Sequence, residues 1–251
     1  LKDARDEAMG EIDKLVRQKQ AGNLKKIIVT GCMAQWWHDQ LAERCPEADG
    51  FVGVGGYQDI AKVIDETLEG QHPALFGDID APVPETDRVV CTSDHWAWLR
   101  IAEGCDNRCA YCIVPQARGH VRSKPAEDVV EEVKGLVAAG YYEIVLTGIE
   151  TACWGRDLGD ENLADLLEKV DAIEGIGRIR LGSLDPSLMK PEFVDRIAKL
   201  KHLAPNFHLS MQSGSSRVLA AMRRRYNAET AENNIAYIRE KIPGVTFTAD
   251  I

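Results

Sequence analysis

The sequence predicts an α/β protein in which an N-terminal open sheet is followed by a partial (β/α) barrel. Short apolar runs bounded by glycine alternate with amphipathic helical patterns. After residue 96 this alternation repeats about every 30–40 residues, which is typical of parallel strands joined by crossover helices. A stretch rich in Pro, Asp and Thr separates the two regions. We therefore predict an N-terminal domain at 1–72, a linker at 73–95 and a barrel domain at 96–251.

The N-terminal region begins with a charged helical pattern that carries apolar residues at helical spacing. The apolar run Ile27 to Val29, with Gly31 shortly after it, predicts a buried parallel strand. The predicted elements of this region are helices at 3–19, 39–44 and 58–69 and strands at 25–30 and 50–54. Because the chain starts at Leu1 and ends in a strand, we expect a fragment cut at both ends, with the first strands of the sheet missing.

The barrel region contains five predicted strands, which fit a barrel that lacks its last unit. The predicted strands lie at 98–102, 143–147, 178–183, 207–211 and 245–248. The predicted helices lie at 126–139, 163–173, 192–201 and 228–241. In such barrels the chemistry gathers at the carboxyl ends of the strands.

Composition excludes several classes of protein. With 251 residues and a 45% hydrophobic share, the chain can fill a sizeable core, so it is not mainly disordered. A net charge of −10 excludes binding of nucleic acid through bulk positive charge, which leaves only local basic patches. We expect a cytoplasmic protein without a membrane segment, because neither an apolar stretch of about 18 residues nor a signal peptide is present.

Three of the seven cysteines form a C-x3-C-x2-C motif directly after a predicted strand: Cys105, Cys109 and Cys112. The odd cysteine count argues against a disulfide scaffold. Three thiols within eight residues of one loop can converge on a metal centre. A protein ligand such as His120 would close a zinc site, whereas an open position would fit an iron-sulfur cubane with one vacant iron.

The triplet resembles the signature of radical S-adenosylmethionine (radical SAM) enzymes. The wider stretches 101–123, 30–35 and 209–215 resemble the methylthiotransferase branch of that family. The resemblance covers nearly the whole chain. It implies a radical SAM barrel in which the three cysteines are catalytic and hold a 4Fe-4S cluster, with S-adenosylmethionine on the open iron. It also implies a reducing electron donor and a radical that removes hydrogen from an unactivated C–H bond.

The same resemblance, together with position on the barrel rim, implies a set of cofactor-binding residues. We expect one near the adenine, three near the amino group, and two near the ribose or methionine part. In that order they are Tyr111; Thr147, Gly148 and Glu150; and Ser183 and Gln212. Core packing for the tyrosine, an ordinary βα turn and loop hydrogen bonding are the structural alternatives.

Cys32 lies in a Thr-Gly-Cys segment. In methylthiotransferases this segment supplies the third cysteine of a second 4Fe-4S cluster, so the resemblance implies that Cys32 is a metal ligand. The two upstream ligands are absent here. We therefore expect one cluster with all its ligands in this chain, where the complete enzyme has two, unless Cys45, Cys91 or Cys153 substitutes. A lone cysteine is otherwise a small buried hydrophobe.

Basic side chains follow the triplet and the fourth barrel strand, and they predict contacts to tRNA phosphates. A solvated helix face is the alternative. They are Arg118, Arg122, Lys124, Arg223, Arg224 and Arg225.

The substrate is predicted from resemblance alone. Residues 147–158, 179–186 and 222–226 resemble enzymes that modify N6-threonylcarbamoyladenosine beside the tRNA anticodon, which is the predicted substrate. The first forty residues and 95–104 resemble enzymes acting on an aspartate of a small-subunit ribosomal protein. That protein and isopentenyladenosine in tRNA are the alternative substrates. A zinc-bound RNA-binding module and an electron carrier whose cluster has four protein ligands are alternatives of other classes.

Overall fold

The computed structural model describes residues 2–82, 88–91 and 94–250. The chain divides into two compact units, the first formed by residues 1–84 with 111–120 and the second by residues 85–110 with 121–251. Along the described ranges, no helix combines the length and apolar character that a membrane span requires. The predicted linker at 73–95 includes 83–87 and 92–93, which lie outside the described residues.

The first unit is built on a three-stranded parallel sheet with the strand order β1-β2-β3. Its elements are α1 (Lys2–Gln20), β1 (Ile28–Thr30), α2 (Cys32–Trp37), α3 (Leu41–Arg44), β2 (Gly50–Val52), α4 (Ile60–Leu68), β3 (Ala74–Leu75) and α5 (Val114–Arg118). The central strand β2 is buried along its whole length, as expected where both faces of a parallel sheet are covered. Ile12 of α1 and Leu41 of α3 join Val29 and Phe51 in the core. The predicted open α/β sheet is therefore confirmed.

Two local predictions in this unit differ from the structure. The helix predicted at 39–44 is α3, which begins at Leu41. A further helix that was not predicted, α2, begins at Cys32, because Gly31 takes a φ of 111° and lets α2 start directly after β1. His38, at φ 38°, then breaks the helix before α3 begins. Strand β3 lies inside the predicted linker. It is held by backbone pairing to β2, and such pairing leaves no pattern of side chains in the sequence.

The second unit is a half-barrel with parallel strand pairing, which confirms the predicted fold class. Its elements are β4 (Trp96–Glu103), β5 (Arg122–Ser123), α6 (Ala126–Ala138), β6 (Glu143–Gly148), α7 (Leu163–Asp171), β7 (Arg178–Leu181), α8 (Pro191–Ile197), β8 (Asn206–Leu209), α9 (Ser216–Ala221), α10 (Ala228–Lys241) and β9 (Thr246–Ala249). The sheets have the orders β5-β4-β6-β7 and β8-β9, and isolated parallel bridges link residue 179 with 203 and residue 184 with 209. The two-residue strand β5 pairs antiparallel with β4 and was not predicted.

Helices cover one face of this sheet. On β4 the side chains of Ala97, Leu99 and Ile101 are fully buried, whereas the alternating Trp98 is 46% exposed. Helix α7 buries four apolar residues at helical spacing, Leu163, Leu166, Leu167 and Val170. The loops that carry polar residues lie at the carboxyl ends of the strands.

Asp49 is the main buried charge of the first unit. Its side chain lies between Lys19 and Lys26, whose Nζ atoms are 2.5 and 3.3 Å from the two carboxylate oxygens. The backbone N–H of Ile27 donates a third hydrogen bond of 2.8 Å. Burial alone would raise the pKa of Asp49, but these three donors outweigh it and hold the pKa below the usual value. The carboxylate therefore ties α1 to the start of β1.

We expect Asp49→Asn to lower the free energy of unfolding at pH 7 by about 2 kcal/mol, because the lysines lose a buried partner. A lowered carboxyl pKa stabilises the fold above the unfolded value of about 4, and this stabilisation is lost as the pH falls through the folded pKa. The difference from wild type should therefore shrink below about pH 4 in denaturation experiments. The exposed Asp65→Asn is the control, and an equal effect of both substitutions would contradict the assignment.

Candidate functional site

Several predicted site residues lie at the carboxyl ends of the parallel strands of the second unit. Strand β4 ends two residues before Cys105, β6 ends at Gly148, and β7 ends two residues before Ser183. Parallel pairing of β4 with β6 and of β6 with β7 brings these ends to the same edge. This is the edge at which (β/α) barrels carry their chemistry.

The loop after β4 folds back onto the loop after β6. Gly104 has a φ of 72°, which allows the turn that leads into Cys105. Asn107 donates its backbone N–H to Cys105 Sγ at 3.3 Å and its side-chain Nδ2 to Glu150 Oε2 at 2.5 Å. Cys105 Sγ lies 3.9 Å from the same oxygen. The structure therefore brings two predicted site residues, Cys105 and Glu150, into contact.

The environment of Glu150 disfavours its charged form. Burial raises the pKa of this carboxyl, and the nearby charge of Asp185 raises it further, against the opposing hydrogen bond from Asn107. Its neighbour Gly148 lies close to β4: a Cβ there would come within 2.9 Å of the carbonyl oxygen of Ala102. Close strand packing thus explains the glycine, and its role toward a cofactor remains a prediction.

Cys109 is held by a buried arginine. Arg224 Nη1 lies 3.4 Å from Cys109 Sγ, and Nη2 donates to Asp185 Oδ2 at 2.6 Å. Burial would lower the pKa of Arg224, but Asp185 and the contact with Cys109 outweigh it and raise the pKa, so the guanidinium stays charged. The loops after β4 and β7 and the segment after α9 thus share one charged network.

Cys112 is described with the first unit, in the segment 111–120. Its Sγ accepts the backbone N–H of Val114 at 3.4 Å, at the start of α5. The same helix ends in Arg118, whose Nε donates to Cys32 Sγ at 3.0 Å. Helix α5 packs against α2, which begins with Cys32. The structure therefore places Cys32, a predicted cluster ligand, beside Arg118, a predicted phosphate contact.

The other predicted cofactor residues lie in different environments. Tyr111 is 41% exposed and Ser183 is also exposed. Thr147 is half-buried and is the next-to-last residue of strand β6. Gln212 has a φ of 62° and donates its backbone N–H to the carbonyl of Asp250 at 2.9 Å. Their cofactor roles stay predictions.

The chemistry of the triplet fits an iron-sulfur cluster. Each of the three sulfurs accepts an N–H group, from Asn107 on Cys105, from Arg224 on Cys109 and from Val114 on Cys112. Such donors stabilise thiolates and are the usual outer partners of cluster ligands.

Three buried polar atoms of the second unit also fit a missing binding partner. Asn107 Oδ1, Thr151 Oγ1 and Arg224 Nε have no hydrogen-bond partner among the described residues. Each buried atom left unpaired in this way costs about 1–3 kcal/mol. Two of the three belong to residues that donate a hydrogen bond to a cysteine of the triplet, Asn107 through its backbone and Arg224 through its side chain. A bound ligand in this region would recover that cost.

The zinc alternative requires several ligands around one position. Nowhere in the described parts of the chain do three or more His, Cys, Asp or Glu side chains group around a position for one metal ion. In a cubane each cysteine binds a different iron, so the absence of a single-ion site does not bear on the cluster. His120 donates its backbone N–H to Asp80 Oδ1 at 2.8 Å.

The predicted basic patches are wrong for two of their members. The side chain of Lys124 is only 8% exposed and is paired with Glu132, and that of Arg224 is 7% exposed and is paired with Asp185. Neither can reach a phosphate, because burial of a charge requires a protein partner. Arg223 and Arg225 are exposed, and Arg225 also donates to the carbonyl of Asp106 at 3.2 Å.

Sequence reasoning missed Asn107 and Asp185 as partners of the triplet and gave Arg224 the wrong role. Asn107 stands between two of the cysteines, where turn chemistry was the visible signal. Three consecutive arginines give no sign of which one is buried. In the structure, burial against Asp185, Cys109 and Tyr226 separates Arg224 from its neighbours.

The chain matches one family model and several named relatives. The model of the radical SAM superfamily matches residues 99–250. The ribosomal protein uS12 methylthiotransferase RimO of Lachnoclostridium phytofermentans is 36% identical over 253 residues, covering 100% of this chain and 58% of that protein. The tRNA-2-methylthio-N(6)-dimethylallyladenosine synthase of Moorella thermoacetica is 35% identical over 252 residues, covering 99% of this chain and 57% of that protein. The chain thus spans less than two thirds of these relatives.

Solved structures share the fold at low sequence identity. The radical S-adenosylmethionine methyltransferase TsrM from Kitasatospora setae matches with a TM-score of 0.67 at 16% identity, covering 96% of this chain and 52% of that one. The cobalamin-dependent S-adenosylmethionine radical enzyme OxsB matches with a TM-score of 0.63 at 14% identity, covering 94% of this chain and 38% of that one. These matches support the predicted α/β architecture.

Three cysteines outside the triplet differ in reactivity. Cys45 and Cys153 are 1% and 4% exposed, whereas Cys91 is exposed. Burial raises the pKa of Cys45, and burial together with the charge of Glu150 raises the pKa of Cys153 to about 11. A thiol that does not ionise is a poor metal ligand. Neither buried cysteine is therefore suited to replace a missing ligand of a second cluster.

We expect iodoacetamide at pH 8 to modify Cys91 at least ~100-fold faster than Cys153 in the folded protein, because only the thiolate reacts and little of it forms at Cys153. Peptide mass spectrometry at successive times measures the two rates. The same labelling in denaturant is the control, in which the rates should converge. Equal rates in the folded protein would refute the burial and pKa assigned to Cys153.

Proposed function

Because the chain belongs to the radical SAM superfamily, we propose that it forms part of a methylthiotransferase, an enzyme that adds a sulfur and a methyl group at a C–H bond. The observation that carries the proposal is the triplet of thiols, each with an N–H donor, inside the region matched by the superfamily. The names of the relatives at 36% and 35% identity supply the reaction class. The activity is proposed for a protein of the relatives' length, of which this chain spans 57–58%.

Cys105, Cys109 and Cys112 would hold the 4Fe-4S cluster in this proposal. When bound, the reduced cluster and S-adenosylmethionine supply the radical that removes hydrogen from the substrate. Cys105 and Cys109 are held in place by Asn107 and Arg224. N–H donors of this kind are the usual outer partners of sulfurs that bind iron.

The groups around Glu150 are the proposed contacts for S-adenosylmethionine. A carboxyl beside Cys105, with the unpaired Oγ1 of Thr151 next to it in the sequence, offers acceptors for an amino group. The environment of this carboxyl is depleted of water, so a bound cation would pair with it strongly. Cys32, held by Arg118, is the proposed ligand of the second cluster of the complete protein.

We favour ribosomal protein uS12 as the substrate. Several relatives that cover 97–100% of the chain at 32–36% identity are named as methylthiotransferases of that protein. These names support the alternative substrate of the sequence analysis better than N6-threonylcarbamoyladenosine. The loss of Lys124 and Arg224 from the basic patches also weakens the argument for tRNA.

A tRNA adenosine is the second candidate substrate. The relative from Moorella thermoacetica is named for dimethylallyladenosine in tRNA and is 35% identical. Arg223 and Arg225 remain exposed and would suit phosphate contacts. The two candidates differ in the macromolecule that accepts the methylthio group, so one experiment separates them.

We expect anaerobic reconstitution of this chain with iron and sulfide to give a brown protein with absorbance near about 400 nm. Its reduced EPR spectrum should change when S-adenosylmethionine is added, because the cofactor occupies the open iron. Cys109→Ala should lose most of the bound iron, since a cubane cannot remain fixed by two thiolates. Cys91→Ala is the matched control and should bind iron like wild type. An EPR spectrum that does not change when S-adenosylmethionine is added would contradict the enzyme proposal and favour an electron carrier.

We expect the full-length protein, reduced and supplied with S-adenosylmethionine, to add one methylthio group to uS12 and none to tRNA. Mass spectrometry of uS12 peptides and of digested tRNA nucleosides, from the same incubation, measures both products. Omission of the reductant is the control and should abolish the product. A methylthio-adenosine with unmodified uS12 would transfer the proposal to tRNA.

A further inference from the structure

Arg224 stands apart from the arginines on either side of it. Its side chain is 7% exposed, whereas Arg223 and Arg225 are exposed. Its guanidinium donates to Asp185 Oδ2 at 2.6 Å, to the carbonyl of Ser210 at 3.1 Å and to Cys109 Sγ at 3.4 Å. A cation is buried only where such partners compensate for the loss of water.

The surroundings hold this guanidinium in one position. The ring of Tyr226 lies 5.2 Å from the guanidinium carbon. The tyrosine is 6% exposed, and its hydroxyl donates to the carbonyls of Ser210 and Met211 at 3.0 and 2.6 Å. Asp185 is equally fixed, since it accepts the backbone N–H of Ser187 at 2.8 Å. Arg224 therefore presents a constant positive charge to Cys109.

A structural role alone does not account for all of these contacts. An ion pair with Asp185 would be complete without a sulfur acceptor, yet Nη1 is directed at Cys109. Nε is buried without a hydrogen-bond partner among the described residues. Nη1 is thus a buried charged donor whose acceptor is the sulfur of a cysteine. A thiol is a weak hydrogen-bond acceptor, whereas a thiolate or a metal-bound sulfur is a stronger one.

We propose that Arg224 is a positioning residue that fixes the Cys109 thiolate and raises the reduction potential of the cluster it holds. The inference rests on the proposed function, since it requires a cluster on the triplet. One-electron reduction adds a negative charge to the cluster and breaks no bond. A buried N–H donor that carries positive charge stabilises the reduced form more than the oxidised form. Asp185 opposes this effect, because its carboxylate partly neutralises the guanidinium.

The test is a redox titration of reconstituted variants, with dithionite as the reductant and viologen dyes as mediators. The reduced cluster is followed by EPR. We expect Arg224→Gln to lower the equilibrium constant for reduction about tenfold, which is about 59 mV for a one-electron couple. Arg223→Gln, the exposed neighbour, is the matched control and should titrate like wild type. An unchanged potential in Arg224→Gln would overturn the inference.

Asp185→Asn gives a second test with the opposite sign. Removal of the carboxylate leaves the charge of Arg224 uncompensated, so the potential should rise, whereas a purely structural role would move both variants in the same direction. If Arg224→Gln fails to fold or bind iron, Arg224→Lys, which keeps the charge, is titrated in its place. The inference is then supported by two results together. The potential of Arg224→Lys must lie closer to that of Arg223→Gln than to that of Asp185→Asn, and the potential of Asp185→Asn must be higher than that of wild type. Otherwise the inference is rejected.

Iron and sulfide analysis separates failure of the inference from failure of the proposed function. A wild-type chain that takes up no cluster under anaerobic reconstitution contradicts the proposed function, and the inference falls with it. A wild-type chain with a full cluster and variants without a shift contradicts the inference alone.

Discussion

Parallel pairing of β4, β6 and β7 is the constraint on which the candidate site depends. Ala97 pairs with Ile144, which pairs with Ile179, and after a register shift between Arg100 and Ala102 the pairing of β4 with β6 reaches Gly148. A parallel ladder with this register leaves the loops after the three strands side by side. Cys105 and Glu150 meet for this reason, although they lie 45 positions apart in the sequence.

Charge at the site is organised by burial and not by the number of charged residues. The chain carries a net charge of −10, yet the group next to Cys109 is a buried cation. Asp185 provides the negative side of the same network, and burial keeps the fields of both groups from being screened by water. The second unit therefore surrounds its cysteines with fixed dipoles and charges, which suits a cofactor whose electronic properties are set by its protein partners.

The first unit uses a similar device for stability. Asp49 joins α1 and the start of β1 through two lysines and one backbone N–H, so a short three-stranded sheet is reinforced by a buried ion pair. The same unit holds Cys32 against Arg118. In each unit, then, an arginine donates to the sulfur of a cysteine that the sequence motifs single out.

The sequence by itself determined the α/β class, the order of the five barrel strands and the cysteine triplet, because apolar periodicity and local spacing are properties of neighbouring residues. It did not determine the helix at Cys32, the edge strand β3 or the antiparallel β5, which depend on backbone torsions and pairing. Only the tertiary structure decided that Arg224 is buried against Cys109 while the arginines beside it are exposed. Burial of one residue in a run of like charges depends on distant partners, and no local pattern records them.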